Sequence, residues 1–208
     1  MKILVFDTET TGLAPASLTR ENLNTWPYIV QLSYLMFDTD LAKVTVQHDF
    51  IVRVPVVIEN SHIHRITNEL NKNNGFEFKD VFDIFMVCVE ACDVIVCHNV
   101  TFDVTMMKAE CLRRGLSFNP RKEYFCTMKR GAPVCKVLNE YGNYKFPKLV
   151  ELHEFLFGNT PSNLHNSMAD VQACFRCYYK IKFERDVFDD VPGIRPKLLN
   201  MHTVCENV

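Results

Sequence analysis

Residues 3–12 read Ile3-Leu4-Val5-Phe6-Asp7-Thr8-Glu9-Thr10-Thr11-Gly12. The apolar run from Ile3 to Phe6 predicts a buried strand over 2–7, and side chains along a strand alternate between its two faces. Asp7 and Glu9, two positions apart at the end of that run, therefore point the same way. Two same-face carboxylates at a buried strand end lose hydration and repel each other unless a cation lies between them. Hard oxygen ligands of this kind suit Mg²⁺ or Mn²⁺ rather than zinc.

Working outward, two distant segments carry matching chemistry. Cys97-His98-Asn99-Val100-Thr101-Phe102-Asp103 places a carboxylate near the start of a predicted helix, and His165-Asn166-Ser167-Met168-Ala169-Asp170 places another. Each residue alone has an ordinary explanation. Asp103 in a first helical turn interacts favourably with the macrodipole. Ser167 three residues before Asp170 makes a loose capping box with Ser167 as N-cap, and His165 reads as a surface histidine in a polar loop. Their joint occurrence is what carries weight: oxygen ligands gathered from three segments can hold two metal ions, the arrangement used in phosphodiester hydrolysis.

The 208 residues suffice for one domain with a sizeable core, and 48% of them are apolar or aromatic, which excludes wholesale disorder. The N-terminus runs directly into a strand without the pattern of a signal peptide, and no segment reaches membrane-spanning length. An intracellular protein, cytoplasmic or nuclear, with no membrane association is the expectation. Nine cysteines, mostly inside apolar runs, read as reduced packing residues; the pair Cys174 and Cys177 lacks the second pair a zinc site needs. A net charge of −2 argues against a protein that coats nucleic acid. Within 108–148, however, Lys108, Arg113, Arg114, Arg121, Lys122, Lys129, Arg130, Lys136, Lys145 and Lys148 outnumber Glu110, Glu123 and Glu140. That segment reads either as a guide for a phosphate backbone or as a solvated basic face.

Strands are predicted over 2–7, 28–37 and 44–53, the second pair joined by the turn residues Asp38-Thr39-Asp40, which makes an antiparallel meander. Further strands are expected at 94–97 and 124–126. Helices are expected within 60–70, over 78–92, from an N-cap at Thr101 to Arg114 with Gly115 as the stop, and over 147–157 and 167–181. Asn71 to Gly75 reads as a break. A meander followed by alternating strands and helices implies an α/β protein with a mixed five-stranded sheet and helices on both faces. Residues 1–183 form the expected domain, and 184–208 a surface appendage or flexible tail.

The three acidic segments, in this order, resemble the motifs of the DEDDh 3′–5′ exonucleases, the DnaQ-like family that includes the proofreading epsilon subunit of bacterial replicative polymerase. Phe146-Pro147-Lys148-Leu149, Leu152 and Phe157-Gly158 are similar to the family's helix before its third motif. The resemblance covers roughly 1–180 and implies a ribonuclease H-like fold. It further implies that Asp7, Glu9, Asp103 and Asp170 hold two Mg²⁺ or Mn²⁺ ions, with His165 as general base. The implied activity is release of nucleoside 5′-monophosphates from the 3′ ends of single-stranded or frayed DNA, by a proofreading partner of a DNA polymerase or by a free-standing nuclease in DNA replication or repair. A 3′–5′ exoribonuclease is the alternative within the superfamily, and an inactive nucleic-acid-binding module a third reading that the five retained residues disfavour.

Candidate substrate contacts follow from the same resemblance. Thr10 and Leu13 match positions around the 3′-terminal nucleotide. His64-Arg65-Ile66-Thr67 is similar to a family His-Gly-Ile-Thr, with Arg65 in place of glycine, which puts the turn and the role of His64 in question. Phe102 reads either as a stacking platform for a terminal base or as core. Trp26 reads as a strand-entry packing residue rather than a wedge.

Overall fold

The computed structural model describes residues 1–161 and 166–199. His165 and the segment 200–208 lie outside the described residues. β1 (Lys2–Thr10), β2 (Ile29–Asp38), β3 (Lys43–Ile51), β4 (Val94–Cys97) and β5 (Glu123–Cys126) form one sheet in the order β3-β2-β1-β4-β5. The β1/β2 and β2/β3 pairs are antiparallel, as the meander required, and β4 and β5 join in parallel. β1 runs on to Thr10, beyond the expected 2–7, because β2 pairs with it along its whole length; Asp7 faces Ser33 and Glu9 faces Gln31 across that ladder.

The helices are α1 (Ser61–His64), α2 (Asn68–Asn74), α3 (Phe78–Ala91), α4 (Val100–Arg113), α5 (Thr127–Cys135), α6 (Leu149–Phe157), α7 (Ser167–Phe183), α8 (Val187–Asp190) and α9 (Ile194–Leu199). They cover both faces of the sheet. Leu4 and Phe6 pack with Val81, Phe85, Met106 and Met107 of α3 and α4. Ile3 and Val5 pack on the other side with Val171, Cys174, Phe175 and Tyr178 of α7. The alternation along β1 therefore continues the α7-facing row Ile3, Val5 into Asp7 and Glu9.

Several expectations change. The predicted 60–70 helix is two short helices, broken where Arg65 takes the left-handed conformation at φ 64°. Asn71 does not break the chain; it is buried inside α2, where its amide donates to the Val52 carbonyl and accepts from the Val54 N–H. α4 starts one residue before Thr101, with Asn99 as its N-cap at φ 78°. Ser167 is the first helical residue of α7, and Asn166 caps it by accepting from the Ala169 N–H. α5 carries no helical signature in the sequence, because Gly131 and Pro133 disguise its spacing. In the segment expected as an appendage, Val187, Val191, Ile194 and Leu198 are buried in the α7-side core, and Asp186 pairs with Arg176 at 2.6 Å; apolar spacing there is masked by Pro192-Gly193. Cys174 and Cys177 are free and buried, as are the other cysteines among the described residues.

Candidate active site

The site forms where the C-terminal half of β1 meets the first turn of α7. The Ser167 hydroxyl donates to the Asp7 carbonyl oxygen at 3.1 Å, fixing the helix start to the strand. One turn of helix later Asp170 faces the same row as Asp7 and Glu9, and carboxylate oxygens of all three lie within 4.8 Å of one another. Burial pushes the Asp7 carboxyl up to about 6, against the pull of the Ser167 hydroxyl. Burial, then repulsion from Asp7 and Asp170, pushes Glu9 up to about 8. Anions crowded in this way favour either protons or a divalent cation, and an all-oxygen donor set fits Mg²⁺ or Mn²⁺.

Asp103 reaches the site from the opposite face of the sheet. It sits on α4, below the even-numbered side of β1, and is only 2% exposed. One of its oxygens accepts from both the Thr8 N–H (3.1 Å) and the Thr8 hydroxyl (2.9 Å). Burial and repulsion from Asp7 hold its carboxyl well above the usual carboxylate range. Thr8 thus orients a carboxylate that stands outside the converging trio but is repelled by Asp7. Nothing in the sequence marks Thr8 for this role except alternation, which puts it on the face opposite Asp7 and Glu9.

The substrate candidates divide. Leu13 is 93% exposed, an apolar side chain held in water beside the end of β1. Thr10 is buried and its hydroxyl donates to the Gly12 carbonyl at 2.7 Å, shaping the turn after the strand. His64 is also buried; its Nδ1 accepts from the Ile66 N–H (3.2 Å), leaving Nε2–H directed at Asn60 Oδ1 (3.4 Å). Asn60 in turn donates to the Thr10 carbonyl at 2.8 Å, so His64 supports the end of β1 from behind. Arg65 adopts the glycine-like turn despite its side chain. Phe102 is half-buried against the α3–α4 core. Trp26 is buried, as expected of a packing residue.

The sequence does not mark His98 for its role either. Burial pushes its pKa down to about 4, so the ring is neutral. Its Nε2–H donates to the Pro147 carbonyl (3.1 Å) and Nδ1 accepts from the Thr127 hydroxyl (2.9 Å), tying the end of β4 to α5 and to the entry of α6. In the basic segment, Arg113 and Arg114 both pair with buried Glu110, and Lys122 donates to the carbonyls of Glu90 and Cys92. Those three cations are structural.

A family model described as RNase_T exonuclease matches residues 4–178. No curated protein matches the chain. Among solved structures, the nuclease domain of 3′hExo, a DEDDh family member bound to rAMP, superposes with a TM-score of 0.67 at 14% identity, over 89% of this chain and 94% of that one. Exonuclease X in complex with 5′-overhanging duplex DNA gives 0.55 at 19% identity, over 91% and 97%. E. coli exonuclease I in complex with a dT13 oligonucleotide gives 0.64 at 19%, over 93% of this chain and 44% of that one. At these identities the likeness is one of fold, the ribonuclease H-like arrangement expected from the sequence.

Proposed function

The chain belongs to the RNase_T exonuclease family of DEDDh nucleases, and on that premise we propose that it is a 3′–5′ exonuclease that removes nucleoside 5′-monophosphates from DNA 3′ ends. The observation that carries this reading is the trio Asp7, Glu9 and Asp170, whose oxygens converge within 4.8 Å on one face of the sheet. With Asp103 they would hold two divalent ions, which when bound acidify a water and stabilise the charge that develops as the phosphodiester breaks. The chain's own residues do the rest. Ser167 locks the strand to α7, so that Asp7 and Asp170 keep their separation. Thr8 holds Asp103. His165, immediately before the α7 cap and outside the described residues, takes the proton of the attacking water as a neutral imidazole. Leu13 and Phe102 bracket the terminal nucleotide in this reading, while Thr10 and His64 shape the β1 end behind it.

The substrate is DNA as a single strand or frayed end, met either as a proofreading subunit of a DNA polymerase or as a free-standing nuclease of replication or repair. The second reading is an exoribonuclease of the same superfamily, favoured by the fold shared with 3′hExo bound to rAMP. A degradation assay with 5′-labelled DNA and RNA oligonucleotides in Mg²⁺, Mn²⁺ or EDTA separates them. A shortening ladder on DNA, lost in EDTA, is the expected result. A ladder on RNA alone transfers the same residues to the second reading, and no cleavage of either overturns both.

A further inference from the structure

Between α5 and α6 the chain makes a small hairpin that the active site does not use. Leu138 and Tyr144 form an antiparallel bridge, the Asn139 N–H donates to the Asn143 carbonyl (2.8 Å), and the Lys145 N–H donates to the Val137 carbonyl (2.9 Å). The Asn139 side chain stiffens the tip by accepting from the N–H groups of Tyr141 and Asn143, both at 3.0 Å, and Gly142 turns it at φ 75°. This hydrogen-bonded loop turns its large side chains outward: Tyr141 is 80% exposed, Phe146 58%, Leu138 58% and Tyr144 54%. A run of solvent-facing aromatics on a hydrogen-bonded hairpin marks a surface built for contact.

Charge and position narrow the partner. Lys136 and Lys148 flank the hairpin in solvent, with Lys129 and Arg130 exposed on the neighbouring α5. Lys145 is shared with Glu151 at 2.6 Å, and Glu140 near the tip is the hairpin's own opposing charge. The hairpin root is anchored to the catalytic edge of the sheet, because the Pro147 carbonyl accepts from His98. The parallel register pairs Val5 with Val96, and His98 directly follows the last residue of β4, at the same end of the sheet as Asp7. Aromatic faces interleaved with lysines, rooted beside an acidic centre, match a nucleic-acid strand better than an apolar protein surface.

We infer that the 136–148 hairpin is a stacking platform for single-stranded nucleic acid, on which Tyr141 and Tyr144 hold bases upstream of the 3′ end that the acidic centre receives. The inference rests on the reading of that centre as a site for a nucleic-acid 3′ end. Its test reads binding by the full chain in EDTA, so that hydrolysis plays no part, using fluorescence anisotropy of labelled oligo-dT and oligo-rU about three and about twelve nucleotides long. The twelve-mer should bind more tightly than the trimer. Tyr141→Ala/Tyr144→Ala should weaken twelve-mer binding by roughly 5- to 100-fold for each stacked base lost. Tyr141→Phe/Tyr144→Phe, which keeps the rings, should restore it. Unchanged twelve-mer affinity in the alanine variant, with unchanged thermal melting, overturns the inference; so does equal affinity of wild type for both lengths, which would leave the hairpin as a protein-docking surface. A protein that binds as expected but degrades nothing overturns the exonuclease reading alone.

Discussion

The acidic residues of the centre are placed by more than one local rule, and substitutions should separate their roles. Asp7 and Glu9 follow from strand alternation, whereas Asp170 follows from the helix phase set by Asn166 and Ser167. Asp170→Asn should lower metal-dependent turnover by on the order of 100-fold or more if Asp170 is a metal ligand as proposed, with a melting midpoint in EDTA no lower than that of the wild type, because the substitution removes one of the repelling charges. His165→Ala should lose about 10²–10⁴ in turnover while retaining divalent-ion binding, measured by isothermal titration, because a general base contributes on that scale. Comparable turnover in the purified His165 variant rules out that role. Thr8→Val tests the support of Asp103. It removes the hydroxyl donor at 2.9 Å, keeps the backbone N–H and the side-chain shape, and should cost about 10- to 100-fold in activity, the usual penalty for losing a group that orients a ligand.

At the scale of elements, a clear departure from local preference is Arg65, which takes φ 64° between α1 and α2. A side chain in the left-handed region is strained, and glycine there is not, although glycine also gains entropy in the unfolded chain. Arg65→Gly should therefore raise stability slightly, by about 0.5 kcal/mol, read as a higher midpoint in urea. Elements with clean periodicity were legible in the sequence: α3 shows its apolar face at Val81, Phe82, Phe85 and Val89, and β1 and β4 are short apolar runs. α5 was not, because Gly131 lowers helix propensity for a reason only the packing reveals: a methyl group there would meet Leu152 of α6 at 2.9 Å. Thr101 and Ser167 were plausible caps, yet the main chain began each helix elsewhere, since Asn99 tolerates a positive φ and Asn166 reaches the Ala169 N–H. The acidic residues themselves were legible. The division of labour between the converging trio and the Thr8-held Asp103 was not, because it depends on which face of the sheet each helix covers.

For the whole molecule, the acidic centre is a destabilising feature that a cation should reverse. Burial raises the proton affinities of Asp7, to about 6, and of Glu9, to about 8, above their unfolded values of 3.8 and 4.5. The folded state therefore binds more protons than the unfolded state between roughly pH 4 and pH 8, and metal-free stability should fall as pH rises through that window. Thermal melts in EDTA at pH 5 and pH 8 check the sign: the lower pH should give the higher midpoint as far as these groups control it. Mg²⁺ or Mn²⁺ should raise the midpoint, and by more at pH 8, where the carboxylates are ionised and available. A midpoint that ignores both pH and divalent ions would show that the trio is satisfied by the protein alone.

The Ser167 hydroxyl meets the Asp7 main chain across 160 residues of sequence. The acidic centre therefore closes only when β1 is joined by α7, which follows it far along the chain. During synthesis a ribosome-borne chain that stops short of Asp170 carries Asp7 and Glu9 without their third carboxylate, whatever nucleic acid surrounds it. A premature stop or a proteolytic cut ahead of α7 should likewise leave an inert fragment rather than an unregulated nuclease. Chain order itself acts as a safety catch on the chemistry.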